Sequence, residues 1–439
     1  MRLKGLWRSP DFLLFWGGET VSLLGTQFTL LALPLTAVLL LGATPAQMGL
    51  LTVAEFAPFL IFTLLAGVWL DRVRRRPMLI ASNLGRGLLV ASVPVAAFAG
   101  WLSVEYLYVV LFLSGALAVI FELAYQSFLP TLLKREELVE GNSKLFATAS
   151  AAEVGGPGLA GVLIGSISAP FVLLIDALSF LVAGAAMWRV RKPEPLPVPV
   201  AQRWSIKREI VEGMRATFRN AYLRAFAAEA TTYNFFNQVF VTLFVLYASK
   251  ELKLGPEMLG LIFAGGSMGA LAGAMFAKSV AGRLGLGHTI LAGASTSCFA
   301  PLLVPLSVFA WDYAAVVLVG AYFLIGLGIS VTNVHVFSIR QALMPENMRG
   351  RMIASYRFIT WGAIPVGAAL SGLLAEWVGL WPTLLAGACG LTTAWLWFVF
   401  SPVRKLKEMP PTPTDIAAAG YSEESKYTER VGKLEIEAA

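Results

Sequence analysis

The stretch GVWLDRVRRRPML, residues 67–79, decides how the chain is organised. An apolar run ends in Gly67-Val-Trp-Leu. Asp71, Arg72 and the three arginines 74–76 follow, and the apolar sequence resumes after Pro77. Four arginines between two apolar runs are typical of a short loop that is held on one side of a membrane.

The composition supports a membrane protein. Hydrophobic residues make up 57% of the chain and charged residues only 14%, whereas soluble domains carry about 25% charged residues. The net charge of +7 is concentrated in short loops between apolar runs, where it matches anionic lipid headgroups. No basic stripe interleaves with aromatic residues, so we do not expect nucleic acid as a partner.

Twelve apolar runs are long enough to cross a bilayer, which requires about 20 residues. The predicted fold is therefore an all-α membrane protein with twelve transmembrane helices. The runs cover residues 12–41, 46–70, 78–100, 104–128, 143–166, 169–190, 223–249, 257–281, 287–310, 313–340, 350–376 and 380–402.

The distribution of Lys and Arg predicts the orientation. With the N-terminus in the cytoplasm, the outer loops hold only Lys250 and Lys253, and all other loop cations lie inside. Both termini are then cytoplasmic, and we expect a multi-pass protein of the cell membrane. The start MRLKGLWRSP is interpreted as the cytoplasmic end of the first span, since no small-residue cleavage site follows it.

The apolar runs predict five segments. Residues 1–11 form a cytoplasmic N-terminus and residues 12–190 a first six-helix half. Residues 191–222 form a central linker that begins Pro-rich and continues as an amphipathic helix at the membrane surface. Residues 223–402 form a second six-helix half, and residues 403–439 a disordered cytoplasmic tail.

The two halves share a weak repeat, which predicts pseudo-symmetry between them. Similar residues follow one another in the same order, separated by 206 to 215 positions. The pairs include Glu19 and Glu229, Gly67 and Gly273, Pro130 and Pro345, Gly156 and Gly367, and Gly161 and Gly372.

Gly67-x-x-x-Asp71-Arg72-x-Arg74-Arg75-Arg76 resembles the signature of the loop between spans 2 and 3 in the major facilitator superfamily, with Arg74 at a position where the signature has a small residue. The resemblance covers about residues 10–402. It implies two six-helix halves, transport by alternating access, and a monomer. It also implies that Asp71 caps or pairs across the interface between halves, and that the arginines, Arg72, Arg75 and Arg76 among them, contact headgroups and helix ends.

A second motif lies in span 5. Glu153-Val-Gly-Gly156-Pro157-Gly-Leu-Ala-Gly161 resembles the antiporter signature of drug exporters in this superfamily. Small residues let helices approach closely, and Pro157 permits a kink. The surrounding sequence is most similar to the branch that holds macrolide exporters and the enterobactin exporter. The arginine that related drug antiporters carry in span 4 is absent here, so a proton relay through it does not transfer.

Carboxyl groups inside the runs are candidates for proton coupling, because a charge in the bilayer is costly and seldom present without a function. Glu153 is favoured by its place beside the Gly-Pro motif. Packing between helices is the alternative role for each of them. The further candidates are Glu19, Glu55, Asp176 and Glu229.

Polar and aromatic residues on the same helical faces are candidates for lining a substrate cavity; helix–helix hydrogen bonding or lipid contact is the alternative. They are Ser22 and Thr26 in span 1, Tyr233 and Asn237 in span 7, and Tyr356 and Trp361 in span 11. Arg86 and Glu122 lie at similar depth and are predicted to form an ion pair. For Arg357, pairing with Glu19, pairing with Glu229 and binding of an anionic group of the substrate are the open alternatives.

These features predict a secondary transporter that exports a hydrophobic or amphipathic small molecule, such as a drug, macrolide or siderophore, in exchange for protons. An importer or facilitator and a lipid flippase are the alternatives within the same fold. An intramembrane enzyme is disfavoured, because two histidines and no HExxH or GxSxG motif offer no catalytic constellation. We expect no cofactor and no metal. Protons, the substrate and membrane lipids are the expected partners.

Overall fold

The structure is a computed structural model that describes residues 5–70, 73–134, 137–194, 206–344 and 349–410. Asp71 and Arg72 of the loop signature lie outside the described residues. Every regular element within the described ranges is helical, as expected for a chain in lipid, where each backbone N–H and C=O needs a partner within its own segment.

Fourteen α-helices follow one another along the described chain. Their bounds are α1 Pro10–Leu35, α2 Pro45–Leu70, α3 Arg75–Phe98, α4 Val104–Leu132, α5 Leu138–Ile167, α6 Ala169–Arg189, α7 Ile206–Arg219, α8 Ala221–Lys250, α9 Pro256–Leu284, α10 Leu286–Phe299, α11 Leu303–Leu306, α12 Ala314–Leu343, α13 Arg349–Val378 and α14 Leu380–Val399.

Eleven helical segments of the described chain are long and apolar enough to cross a membrane by length and composition. The predicted run 223–249 is not among these eleven. It corresponds to α8, a helix of 30 residues that carries Arg224, Glu229 and Lys250. The predicted all-α membrane fold is therefore confirmed. Which helix ends face the cytoplasm stays a prediction from the Lys and Arg distribution.

The helices group into two compact units. Unit 1 comprises Met1–Ala201, Val241–Ala264 and Ala368–Trp381, and unit 2 comprises Gln202–Phe240, Gly265–Gly367 and Pro382–Ala439. Thus the first six long helices are joined in unit 1 by the end of α8, the start of α9 and the end of α13. The proposed division into halves at the central linker stays a prediction.

Each unit has its own apolar core. In unit 1, Phe12, Phe15 and Phe128 are buried where α1 and α4 meet. In unit 2, Phe226 and Phe398 pack ring edge against ring face, with centroids 6.0 Å apart. Large aromatic side chains of this kind contribute most of the buried apolar surface.

Two glycine contacts bring helices of unit 1 close together at the backbone. A methyl group added at Gly161 of α5 would lie 2.6 Å from the carbonyl oxygen of Pro256 and 2.9 Å from the Cα of Gly260, both in α9. One added at Gly49 of α2 would lie 2.6 Å from the Ala368 carbonyl oxygen of α13. Because glycine has no side chain, the helices approach closely enough for extensive dispersion contact, which drives association of helices in membranes.

We expect Gly161→Ala to lower the free energy of unfolding by about 1–3 kcal/mol, because the new methyl group meets rigid backbone atoms rather than a flexible side chain. Gly155→Ala is the matched control in the same motif, since nothing lies within 4 Å of a methyl group at that position. Denaturation of the purified protein would compare the two. Equal stability of both variants would contradict the α5–α9 contact.

Candidate functional site

The end of the opening stretch, where α3 begins, is held against the segment that follows α6 by hydrogen bonds and an ion pair. α3 begins at Arg75, and the residue before it, Arg74, supplies no side-chain cap. The carboxylate of Glu194 provides the missing acceptors, taking hydrogen bonds from the backbone N–H groups of Arg75 at 2.6 Å and Arg76 at 3.0 Å. A carboxylate here also complements the positive end of the helix dipole.

Arg76 makes the reciprocal connection. Its guanidinium donates to the carbonyl oxygens of Met187 at 3.3 Å and Trp188 at 2.6 Å, which belong to the last turn of α6. Arg75 adds an ion pair with Glu194 at 3.7 Å. We call Arg75, Arg76 and Glu194 the α3–α6 clasp, because each helix end has its free backbone groups satisfied by a side chain from the other segment.

The α3–α6 clasp gives two of the predicted motif residues a defined role. Arg76 binds the end of α6 and Arg75 pairs with Glu194, whereas the pairing predicted for Asp71 stays a prediction. Sequence analysis missed Glu194. The available signal was the absence of Ser, Thr, Asp or Asn at position 74, which means that the first turn of α3 must find its acceptors elsewhere.

We expect Glu194→Ala to lower the free energy of unfolding by about 1–2 kcal/mol, because two N–H groups and the positive helix end lose their partner. Glu194→Gln keeps one acceptor oxygen, so we expect an intermediate loss. Glu137→Ala is the control, since that carboxylate accepts one exposed N–H, from Lys134. Thermal unfolding in detergent would rank the three variants. No difference between the position 194 variants and the control would refute the clasp.

Four charged side chains inside unit 1 form the candidate site. Arg86 of α3 lies in the electrostatic field of Asp176 from α6, Glu19 from α1 and Glu55 from α2, with Asp176 acting most strongly. Each of the four lies about 10–17 Å from the nearer end of its helix, at a rise of about 1.5 Å per residue. We refer to these residues as the Arg86 cluster.

Hydrogen bonds distinguish the carboxylates of the Arg86 cluster. Asp176, which is 1% exposed, accepts from the hydroxyl of Thr29 at 2.5 Å and from that of Ser179 at 3.0 Å. Within the described residues, no hydrogen bond holds the carboxylate of Glu19 or Glu55. Asp176 is therefore fixed in position, whereas the other two carboxylates are free to change partners.

Close packing encloses the Asp176 side of the cluster. A methyl group on Gly25 of α1 would overlap the Ser179 hydroxyl and lie 2.5 Å from an oxygen of Asp176. The guanidinium of Arg86 lies over the ring of Phe180, 4.1 Å from its centroid, in a cation–π contact that strengthens when water is excluded. The predicted pairing of Arg86 with Glu122 stays a prediction.

The span 5 motif separates into packing residues and one accessible carboxyl group. Gly156 faces the side chain of Gln27 on α1, and Gly161 faces α9. Glu153 is exposed on α5 and is not among the charges that act on Arg86. Three of the five predicted coupling groups therefore act on Arg86, and Glu153 does not.

The fifth predicted coupling group, Glu229, lies in unit 2 on α8 and is 9% exposed. Its charge acts on the hydroxyls of Tyr233 and Tyr356. Tyr356 donates to the carbonyl oxygen of Phe226 at 3.2 Å, one turn before Glu229. Among the described residues, no cation acts on the carboxylate of Glu229.

The predicted cavity residues fall into both units. Ser22 is buried and Thr26 half-buried in unit 1, while Asn237 and Trp361 are half-buried in unit 2. The guanidinium of Arg357 lies over Trp361, 5.2 Å from the ring centroid.

Arg340, which sequence analysis did not single out, lies over Tyr356 at 3.6 Å. Its position in the last turn of α12 is the signal that was available, since cations there complement the helix dipole.

Metal ligands are not grouped in the described part of the chain: no three residues of the types His, Cys, Asp and Glu are placed to hold an ion. Both cysteines are free thiols, Cys298 buried and Cys389 exposed.

Comparison with protein families identifies this helical architecture. The family model described as "Major Facilitator Superfamily" matches residues 15–364 and, in a second alignment, residues 234–429. The chain belongs to the Major Facilitator Superfamily. The resemblance of the loop 2–3 and span 5 motifs therefore pointed to the correct superfamily, and its members are membrane transporters rather than enzymes.

Curated relatives within the superfamily are distant but cover nearly the whole chain. The "Multidrug efflux pump Tap" of Mycolicibacterium fortuitum is 25% identical over 426 residues, which is 92% of this chain and 97% of the relative. The "Uncharacterized MFS-type transporter YfiS" of Bacillus subtilis (strain 168) is 24% identical over 387 residues, 84% of this chain and 88% of the relative.

Solved structures of other transporters share the fold. A bacterial homologue of the iron transporter ferroportin in the inward-facing state aligns with a TM-score of 0.68 at 19% identity, over 90% of this chain and 100% of that one. The nucleoside transporter NupG aligns with a TM-score of 0.69 at 12% identity, over 89% of this chain and 98% of that one. At these identities the likeness establishes the fold alone.

We expect Arg86→Gln to lower the free energy of unfolding by about 3–5 kcal/mol, because it leaves buried carboxylates without their cation. Adding Asp176→Asn should recover a large part of the loss, since the double variant removes both charges. The parallel double variant with Glu122→Gln is the control that tests the pairing predicted from sequence. If stability recovers only in the double variant with Glu122→Gln, then Glu122 is the partner of Arg86. Chemical denaturation of wild type, Arg86→Gln and the two double variants gives the free energy of unfolding of each.

Proposed function

We propose that the chain is a secondary active transporter that exports a hydrophobic or amphipathic small molecule in exchange for protons. It acts as a monomer in the cell membrane by alternating access. The observation that carries the proposal is the Arg86 cluster, because three carboxylates well inside their helices lie in the electrostatic field of one cation.

Charge balance explains why this cluster suits proton exchange. One guanidinium balances one carboxylate, and Asp176 is the natural counter-ion because two hydroxyls hold it in place. Glu19 and Glu55 then carry charge for which the cluster has no second cation. An uncompensated carboxylate is costly away from water, so each takes up a proton or a cationic group and releases it when the surroundings change.

The roles within the cluster follow from this difference. We assign Glu19 and Glu55 as exchangeable proton sites. Asp176, held by two hydroxyls, and Arg86 are the charges that orient them. Glu153, exposed on α5, is retained as a candidate for passing protons or contacting substrate. Glu229 of unit 2 is a second isolated carboxyl group that a cationic substrate could neutralise.

The amphipathic substrate class is supported by aromatic residues next to these polar groups. Tyr233 and Tyr356 lie near Glu229, and Trp361 stacks with Arg357. A wall of this composition offers dispersion contact together with a few polar anchors. Export is supported by the similarity to relatives named "Multidrug efflux pump Tap" in Mycolicibacterium fortuitum and Mycobacterium tuberculosis.

The purified protein in liposomes with an internal pH-sensitive dye tests the proposal. A pH gradient is imposed, and macrolides, lipophilic cations and siderophores are added in turn. We expect a transported compound to dissipate the gradient through the wild type. Glu19→Gln and Glu55→Gln should each slow this proton flux at least about tenfold, the effect typical of losing a positioned proton-transfer group.

Two further variants accompany the assay, one as a control and one as a test of the span 5 motif. Glu105→Gln changes an exposed carboxyl group in the first turn of α4 and should leave the flux unchanged. Glu153→Gln tests the assignment made from the span 5 motif. If substrate crosses while the gradient persists, proton exchange is wrong, and a facilitator, an importer driven by another ion or a flippase takes its place.

A further inference from the structure

A cavity of about 540 Å³ opens beside the α3–α6 clasp. One end of it is lined by the cationic side chains of Arg74, Arg76 and Lys192, and the other by Ile80 and Leu84. The cavity lies where α3 begins and α6 ends. In a helix that crosses the bilayer, such positions are at the depth of the lipid headgroups.

The charges of the cavity are only partly used by the protein. Glu194, the carboxylate in its lining, has both oxygens engaged by the start of α3. Arg74 is exposed and makes no hydrogen bond or ion pair with the described residues. Lys192 donates to the carbonyl oxygen of Leu132 at 2.8 Å, which leaves further N–H groups of its ammonium available. The cationic end therefore suits an anion with several acceptor oxygens, such as a phosphate group.

The apolar end of the cavity continues along two helices. Leu84 is 38% exposed, and Leu88, one turn further on α3, is 67% exposed. Leu181 and Trp188 lie two turns apart on the face of α6 that meets α3, since Leu181 is 3.1 Å from the position of a methyl group on Gly87. We call Leu84, Leu88, Leu181 and Trp188 the α3–α6 furrow.

We propose that the cavity and the α3–α6 furrow bind an anionic glycerophospholipid. The phosphate lies between Arg74 and Lys192, and the first part of an acyl chain lies along Leu84 and Leu88. Trp188, which is 69% exposed, lies at the glycerol level, the depth that tryptophan prefers at the membrane interface. A free phosphate would use only the cationic end, whereas a phospholipid uses both ends of the cavity.

Quenching of Trp188 by brominated lipid tests the proposal directly. The full-length protein is placed in nanodiscs of phosphatidylcholine with increasing amounts of brominated phosphatidylglycerol. The difference in quenching between wild type and Trp188→Phe isolates this residue from the other tryptophans. We expect Trp188 to be quenched at low fractions of brominated phosphatidylglycerol, and much less by brominated phosphatidylcholine at equal fractions.

The double variant Arg74→Gln/Lys192→Gln removes the two available cations. We expect its preference for phosphatidylglycerol to fall roughly 30-fold, the equivalent of about 1 kcal/mol for each cation near an anionic surface. The double variant Arg8→Gln/Arg191→Gln loses the same charge from exposed positions outside the cavity and should keep its preference. A melting temperature close to that of wild type for both double variants in detergent would show that folding is intact.

Two results would overturn the proposal. If both double variants lose the preference equally, the lipid responds to overall charge rather than to this cavity. The second comparison adds inorganic phosphate or phosphatidylglycerol to lipid-free protein in detergent. If both raise the melting temperature equally, and only when Arg74 and Lys192 are present, the cavity binds free anions and the lipid assignment is wrong.

Discussion

The cost of placing charge in hydrocarbon is the constraint on which the rest of this molecule depends. Arg86 lies in the middle of α3, far from either helix end, so it must find its counter-charge from neighbouring helices. Three carboxylates from other helices act on it, those of Asp176 from α6, Glu19 from α1 and Glu55 from α2. The same four helices thus share one cation among three carboxyl groups, and this excess of carboxyl groups is what the proposed proton exchange depends on.

Helix ends and helix contacts are stabilised in different ways. At the ends of α3 and α6, charged side chains satisfy backbone groups that a helix leaves free, and the α3–α6 clasp does this in both directions. Along the helices, small residues replace polar contacts, as where Gly161 meets Gly260. Apart from the Arg86 cluster, the charged contacts described here lie at helix ends, where water and headgroups lower their cost, and the close glycine contacts rely on dispersion.

The internal repeat relates two carboxyl groups that the structure places in different surroundings. Glu19 and Glu229 are 210 positions apart and both are buried. Glu19 lies in the field of Arg86, whereas Glu229 lies among tyrosine hydroxyls with no cation acting on it from the described residues. The two positions that the sequence repeat relates therefore differ in their surroundings: Glu19 lies in the field of a cation, and Glu229 lies near tyrosine hydroxyls.

Sequence alone determined the all-helical membrane fold and the superfamily, because these depend on the length of apolar runs and on local motifs such as the one beginning at Gly67. It also identified Arg86 and the intramembrane carboxyl groups, since charge there is rare. Only the tertiary structure decided which of them meet. Asp176 is 90 positions from Arg86, and Glu194 is 119 positions from Arg75. Sequence predicts only the depth of a side chain in the bilayer, and side chains on many helices share the same depth. The choice among them depends on which helix faces pack together, and that is a property of the whole fold.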